Sequence, residues 1–224
     1  MLAYHDKEFI ESEHGRPIRI MSEFLASKAI IDDNKIEKTI VIYGSARTPE
    51  NSRYYRDAQE LAKKLGEWLK GQPQKYAICT GGGPGIMEAG NKGAHEARVP
   101  SLGFCIELPF EQSTNPFVDK ELEIQFHYFF LRKFWFLSQS AAIIAFPGGW
   151  GTFDELFESL TMLQNGKTKK IPVVLFGSEF WKGIVNWQKF VDDGLINSAD
   201  MELLHFSDTV DEAVEYIIKT TATP

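Results

Sequence analysis

Two charged pairs have the residue types for chemistry: Arg132-Lys133 and Asp154-Glu155. Arg132 and Lys133 stand among aromatic residues, in the stretch F-F-L-R-K-F-W-F. An arginine in such a setting usually has a fixed anionic partner, because an unpaired buried charge is costly. We therefore expect Arg132 to contact either Glu155 or the phosphate of a ligand. Lys133 could instead be a lysine that snorkels at the surface.

Glu155 follows a glycine-rich turn in the segment A-A-I-I-A-F-P-G-G-W-G-T-F-D-E-L, residues 141–156. The unbroken apolar run 142–146 predicts a strand that is buried on both faces of a parallel sheet. Pro147 ends the strand, and we expect Thr152 to N-cap the next helix. Backbone N–H groups and the positive dipole end at a helix start favour a phosphate. The sequence predicts a phosphate site beside Glu155, although Glu155 could serve only to stabilise the helix dipole.

Glycine-rich or serine-containing turns follow three predicted strands, at Gly44-Ser45, at 81–85 and at 148–151. Any one of these turns could simply allow a helix to pack tightly on a sheet. Three turns at one sheet edge favour a nucleotide-sized ligand that lies across them. The loop G-G-G-P-G-I-M-E-A-G resembles the fingerprint G-x-G-x-x-G. It follows the second strand rather than the first, which argues against a redox dinucleotide site.

The order of the elements predicts the architecture that positions these turns. Apolar strands alternate with helices, including an aromatic helix over about 180–193, which predicts an α/β fold with a Rossmann-like, doubly wound parallel sheet and helices on both faces. Ligands of such sheets bind at the carboxyl ends of the strands. We assign residues 39–224 to this single domain. Residues 1–38 form an N-terminal extension, a loosely held arm of about 15 residues followed by an amphipathic helix over Ile18 to Ile31.

Composition excludes several classes of function. The 224 residues carry a net charge of -7, which argues against non-specific binding to nucleic acid or to an anionic membrane. No apolar run reaches the roughly 20 residues of a membrane span, and the polar N-terminus does not read as a signal peptide. Two cysteines, Cys79 and Cys105, fall in predicted buried strands, which fits a reducing, cytoplasmic location. The five histidines show no metal-binding spacing.

The segment P-G-G-W-G-T-F-D-E resembles the P-G-G-x-G-T-x-x-E signature of the Lonely Guy family of nucleotide hydrolases. Arg132-Lys133 and the loop G-G-G-P-G-I-M-E-A-G-N-K-G-A are similar to two further motifs of that family. The resemblance extends from about residue 39 to residue 177. The segment E-L-P-F-E-Q-S-T-N-P-F looks like the bacterial branch that is often labelled lysine decarboxylase. We find no Ser-x-His-Lys motif for pyridoxal phosphate, so that label fits this chain poorly.

The resemblance implies hydrolysis of the N-glycosidic bond of a nucleoside 5′-monophosphate, such as AMP, to free base and ribose 5-phosphate. It implies a homodimer, or a higher homo-oligomer, and no metal or redox cofactor. It makes Arg132 and Glu155 the catalytic pair. The substrate-binding residues would be Gly44, Ser45, Gly82, Gly83, Met87, Glu111, Lys133, Gly148, Gly149, Trp150, Gly151, Thr152, Asp154 and Thr161.

Two departures from the family pattern bear on base specificity. Phe134-Trp135-Phe136 is bulkier than the usual residues after Arg-Lys, and Trp150 replaces the usual tyrosine or phenylalanine. From the residues alone, Thr161 could reach a ligand or merely bond its own helix. A nucleotide sensor or molybdenum-cofactor carrier of the same fold is the alternative function. A protein that handles single-stranded DNA is disfavoured, because the chain has no basic stripe.

The chemistry agrees with the implied reaction. N-glycoside hydrolysis passes through an oxocarbenium-like sugar cation, which a nearby carboxylate stabilises. The carboxylate of Glu155 could also act as general base or as nucleophile, and the sequence leaves these roles open. We expect Arg132 to hold Glu155 ionised and so to lower its pKa.

Overall fold

The structure, a computed structural model, describes residues 2–107 and 113–221. Within these residues one sheet contains seven strands: β1 (Lys38–Tyr43), β2 (Tyr76–Thr80), β3 (Ser101–Ile106), β4 (Glu123–Phe126), β5 (Ser140–Ala145), β6 (Val173–Phe176) and β7 (Leu204–Ser207). The spatial order is β4-β3-β2-β1-β5-β6-β7, and every pairing is parallel. The direction of winding reverses between β1 and β5, which is where ligands bind in such sheets.

The strands are apolar because helices cover both faces of the sheet. The helices are α1 (Lys7–Glu11), α2 (Arg16–Asp33), α3 (Arg53–Leu69), α4 (Ile86–Ala97), α5 (Phe129–Ser138), α6 (Trp150–Gln164), α7 (Ser178–Ile184), α8 (Trp187–Asp192) and α9 (Val210–Thr221). Helices α3, α4 and α9 bury their apolar side chains against one face. The other face is covered by α5 and α6, flanked by α2 on one side and by α7 and α8 on the other. The predicted doubly wound α/β fold is therefore confirmed.

The chain departs from the sequence prediction in two helical regions. The predicted aromatic helix over about 180–193 is two helices, because Val185 is extended and the side chain of Asn186 caps α8. The segment predicted as a loose arm contains α1, which is N-capped by the carboxylate of Asp6. The division of the chain at residue 38 stays a prediction. None of the helices in the described part of the chain is long and apolar enough to cross a membrane.

Candidate active site

The three glycine-containing turns meet at the carboxyl ends of the adjacent strands β2, β1 and β5. The backbone of Ser45 joins them, since its N–H donates to the carbonyl of Pro147 at 3.1 Å and its carbonyl accepts from the N–H of Ile86 at 3.0 Å. The N–H of Phe146 also donates to the carbonyl of Tyr43 at 2.9 Å, which extends the pairing of β1 with β5. The turns therefore form one continuous rim at the point where the winding of the sheet reverses.

Arg132 and Glu155 face each other at this rim. The Arg132 Nη2 atom lies 3.3 Å from Glu155 Oε1, and the two side chains are only 8% and 15% exposed. The guanidinium lies 5.2 Å from the ring centroid of Phe136, a cation–π arrangement. It also packs on the second glycine loop, because a Cβ at Gly81 would clash with it. Arg132 on α5 is thus a buried cation that lies beside the N-terminal part of α6.

The Nε–H of Arg132 is a hydrogen-bond donor without an acceptor among the described residues. The Nε atom is buried within the protein. A buried, unsatisfied donor of a charged group is costly unless something bonds to it. The Nε–H of Arg132 is therefore a donor that neither Glu155 nor the surrounding described residues use.

Burial dominates the titration of Glu155. Desolvation raises the pKa of this carboxyl to about 7, against a smaller opposing effect of Arg132. Asp154 raises the pKa of Glu155 slightly further. Arg132 lowers the pKa of Glu155, as predicted, but the expectation that it would hold Glu155 ionised is wrong, because the effect of the nearby charge is outweighed by the loss of water. A carboxyl with this pKa can exchange a proton near neutral pH.

Lys133 lies on the outer side of the same pair of helices. Its Nζ atom is 3.2 Å from Asp154 and 2.6 Å from Glu158, and its side chain is 21% exposed. The carboxylates, Glu158 first, raise the pKa of Lys133. Lys133 is thus neither a free surface lysine nor a contact of Glu155. It links α5 to α6 beside the catalytic candidates, and Glu158 was not expected from the sequence.

The turn before α6 differs from the prediction in where the helix begins. The helix starts at Trp150 with Gly149 as its N-cap, so Thr152 is its third residue and is not the N-cap. The N–H groups of a first helical turn have no acceptors within the helix. A Cβ at Gly148 would clash with the side chain of Thr152, whereas a Cβ at Gly149 or at Gly151 would meet nothing within 4 Å.

The space that a Cβ would occupy at Gly149 and at Gly151 is open. Trp150, the first residue of α6, is 93% exposed, so its indole does not contribute to the core. An exposed indole next to an open helix start can stack on a planar ligand group. Neither glycine has a positive φ, so neither is needed here for a left-handed backbone conformation.

A buried amide network shapes the second glycine loop. The N–H of Asn115 donates to the carbonyl of Gly82 at 2.8 Å, and its Nδ2 donates to the carbonyl of Gly83 at 3.0 Å. The same amide contacts Asn91, which in turn bonds Thr80 at the end of β2. Gly82 has a φ of +72°. Asn91 and Asn115 were not identified from the sequence, because their neighbours come from distant parts of the chain.

Other expected site residues have clear places. Gly44 packs under the side chain of Ile86, and the sulfur of Met87 lies beside the second glycine loop near Arg132. Glu111 lies outside the described residues. Thr161 is not brought to the Arg132–Glu155 pair: it is six residues, or about 9 Å, further along α6. Its hydroxyl donates to the carbonyl of Phe157 in its own helix, and it borders a separate apolar cavity.

Tyr43 is a residue of the site that the sequence analysis missed. It is 2% exposed at the end of β1, and burial, followed by the charge of Glu155, raises the pKa of its phenol. Tyr43 and Ser159 border a small cavity together with Glu155, Glu158 and Lys133. The signal was available, because Tyr43 directly precedes the first glycine turn.

A parallel sheet with a buried Arg–Glu pair and glycine turns at its switch point places the chain among the doubly wound α/β proteins that bind ligands at their strand ends. The chain belongs to the family described as possible lysine decarboxylase, whose model matches residues 87–217. It is homologous to the Lonely Guy nucleotide phosphoribohydrolases at about 25% identity over most of its length.

Two relatives illustrate this similarity. A probable cytokinin riboside 5′-monophosphate phosphoribohydrolase of Oryza sativa subsp. japonica is 24% identical over 188 residues, which are 83% of this chain and 78% of the relative. The pyrimidine/purine nucleotide 5′-monophosphate nucleosidase of Escherichia coli K12 is 27% identical over 197 residues. That alignment covers 79% of this chain and only 38% of the much longer nucleosidase.

Solved structures agree on the fold. The X-ray structure of the structural-genomics target TM1055 matches with a TM-score of 0.59 and 24% identity, over 81% of this chain and 99% of the other. A molybdenum cofactor binding protein from Rippkaea orientalis matches with a TM-score of 0.59 and 20% identity, over 82% of this chain and 96% of the other. The second match shows the same architecture in a protein that is described as binding molybdenum cofactor.

Proposed function

We propose that this protein is a nucleoside 5′-monophosphate phosphoribohydrolase that acts on AMP or a related purine nucleotide. It would hydrolyse the N-glycosidic bond and release the free base and ribose 5-phosphate. The observation that carries the proposal is the buried pair Arg132 and Glu155, 3.3 Å apart, beside the open start of α6. The functions for which the rice and Escherichia coli relatives are named support this reaction class.

In the proposed mechanism the 5′-phosphate binds the N–H groups of the turn 148–152, with the positive end of the α6 dipole behind them. Glu155, one turn into the helix, then lies near the sugar and stabilises the oxocarbenium-like transition state in its ionised form. The same carboxylate can take a proton from the attacking water. Arg132 orients Glu155, and its unused Nε donor is available to the substrate.

A carrier of a nucleotide or of molybdenum cofactor is the second candidate. The similarity to the Rippkaea orientalis protein favours it, although that similarity shows the fold alone. A carrier needs a phosphate site, but it has no need of a titratable carboxylate beside the sugar. Buried carboxyls with strongly raised pKa values cluster at catalytic sites, so Glu155 favours the hydrolase.

We also propose that the protein is a homodimer through α2 and α5. Met21 and Leu25 on α2 and Phe130 and Phe134 on α5 are each about half exposed. The two helices are neighbours, since the rings of Phe24 and Phe134 lie 5.5 Å apart. Large apolar side chains that are exposed together on adjacent helices are typical of an interface between subunits.

The test is product analysis by chromatography after incubation with a panel of nucleoside monophosphates. We expect free base and ribose 5-phosphate from at least one purine nucleotide with the wild-type protein, and none with Glu155→Ala. Glu215→Ala, which removes an exposed carboxylate on α9, is the matched control and should behave as wild type. Tight binding of a nucleotide without release of base would support the carrier instead.

A further inference from the structure

Glu23, which precedes the main sheet in the chain, contacts the start of the helix that carries Arg132. This residue lies on α2, and its side chain reaches the chain segment that starts α5, more than 100 residues away. Its Oε1 accepts from the N–H of His127 at 3.1 Å, and its Oε2 accepts from the N–H of Tyr128 at 3.3 Å. One carboxylate thus satisfies two successive backbone donors.

Helix α5 has no cap of its own. Tyr128 is its N-cap residue, and its side chain makes no capping hydrogen bond. A carboxylate at a helix start satisfies orphan N–H groups and interacts favourably with the helix dipole. Glu23 therefore caps α5 from another helix by bonding the N–H groups of Tyr128 and of the residue before it, rather than those of the second or third helical residue as an N-cap side chain does. The guanidinium of Arg16, also on α2, lies 5.8 Å from the ring centroid of Tyr128 and adds a second contact to the same residue.

The hydrogen bonds continue from this cap to the catalytic candidates. The N–H of Tyr128 is held by Glu23, and the carbonyl of Tyr128 accepts from the N–H of Arg132 at 3.3 Å. The side chain of Arg132 then meets Glu155 at 3.3 Å. Tyr128 is thus bonded to Glu23 through its N–H and to Arg132 through its carbonyl. This residue connects α2 to the arginine of the site.

We propose that Glu23 is a positioning residue: by capping α5 from α2, it sets where Arg132 lies relative to Glu155. The proposal rests on the proposed hydrolase for its kinetic consequence. It gives the N-terminal extension a part in the activity, although Glu23 itself touches neither Arg132 nor Glu155. Displacing a catalytic group by about 1 Å through a remote change can reduce a rate by as much as about 100-fold.

The experiment compares Glu23→Ala with Glu23→Gln and with Asp32→Ala. Asp32 is a carboxylate on the same helix that pairs with Lys28, at the surface, so its variant controls for damage to α2. Hydrogen exchange of the backbone amides at 127, 128 and 132 is measured in the ligand-free proteins. For Glu23→Ala we expect exchange at least about tenfold faster at these amides, intermediate exchange for Glu23→Gln, and wild-type exchange for Asp32→Ala.

Kinetics on the nucleotide that the wild type hydrolyses, with thermal melts, complete the test. We expect kcat of Glu23→Ala to fall about tenfold with KM within about twofold, and Glu23→Gln to recover part of the loss. Wild-type kcat in Glu23→Ala overturns the proposal. So does a fall in kcat that merely follows the folded fraction. If the wild type releases no base, the proposed function fails, and the exchange data alone decide whether Glu23 holds α5.

Discussion

The carboxyl of Glu155 has a pKa of about 7 although the guanidinium of Arg132 lies only 3.3 Å from it. An exposed carboxylate so close to a cation would have a lowered pKa. Here the cost of removing the carboxylate from water outweighs the attraction of the arginine. The pair consequently combines a permanently charged member with a member whose charge changes near neutral pH, and this property is the basis of the first three predictions.

The first prediction concerns the pH dependence of base release. If Glu155 must be ionised to stabilise the sugar cation or to accept a proton, kcat/KM rises about tenfold per pH unit below pH 7 and levels off above it. Glu155→Gln should lose this limb and about 10²- to 10⁴-fold in rate. The measurement is initial rates of base release between pH 5 and pH 9. A rate that falls as the pH rises through 7 would instead make Glu155 a general acid.

The second prediction concerns stability. The pKa of Glu155 is raised in the folded state, so the folded protein holds this proton more tightly than the unfolded chain does. The resulting stabilisation is complete below the unfolded pKa of 4.5 and is lost as the pH rises to about 7. Relative to Glu155→Gln, the wild type should lose about 3 kcal/mol between pH 4.5 and pH 8.

Chemical denaturation at several pH values checks the stability prediction. The diagnostic quantity is how the difference in free energy of unfolding between the two proteins changes with pH. The substitution itself adds an effect that does not depend on pH. A difference that does not vary from pH 4.5 to pH 8 would show that burial does not raise the pKa of Glu155.

The third prediction separates the charge of Arg132 from its shape. Arg132→Met removes the cation that opposes burial, so the pKa of Glu155 should rise further and the pH–rate midpoint should move upward by about one unit or more. The rate at pH 7 should fall by more than about tenfold. Arg132→Lys keeps the charge and should leave the midpoint near that of the wild type, with a lower plateau. Equal midpoints in all three proteins would contradict this assignment.

Much of the fold follows from local sequence patterns, whereas much of the site does not. Apolar strands and glycine turns are short-range features, so their order predicted the doubly wound sheet. The start of α6 was misplaced because Thr152 is a good capping residue, while the actual cap is Gly149. Asn91 and Asn115 are 24 residues apart in the chain but are hydrogen-bonded in the structure, and no pattern in a single sequence predicts that contact. The presence of Arg132 next to Glu155 was predictable from the sequence, but the burial of Glu155 was not.

The fourth prediction uses two neighbouring glycines. Gly148→Ala places a Cβ against the side chain of Thr152 and should destabilise the protein by about 1–3 kcal/mol. Gly149→Ala adds its methyl group to open space, but alanine is a poorer N-cap than glycine, so the stability should fall by only about 0.5–1 kcal/mol. The same methyl group narrows the approach to the start of α6 and should raise KM for the nucleotide. Thermal melts and KM values for both variants check this contrast. An unchanged KM in Gly149→Ala would indicate that the phosphate of the nucleotide does not bind at the start of α6.

The fifth prediction tests the proposed dimer. Phe134→Glu puts a charge into the half-exposed apolar surface of α2 and α5, and it should convert a dimer into monomers at micromolar concentration. Leu195→Glu changes an apolar residue that is 68% exposed elsewhere and should leave the assembly intact. Sedimentation velocity distinguishes the species. A wild-type protein that sediments as a monomer would remove the proposal.

The position of β5 next to β1 has a consequence for how the protein is made. Thr39 pairs with Ser140, so the central strand β1 cannot pair with β5 until about 100 further residues have been translated. The first four strands can pair among themselves before then, which leaves one edge of the apolar strand β1 open. Open edges of this kind invite pairing with other chains, and long-range parallel pairing is slow. The nascent chain is therefore most prone to aggregate after β4 has emerged and before β5 closes the sheet.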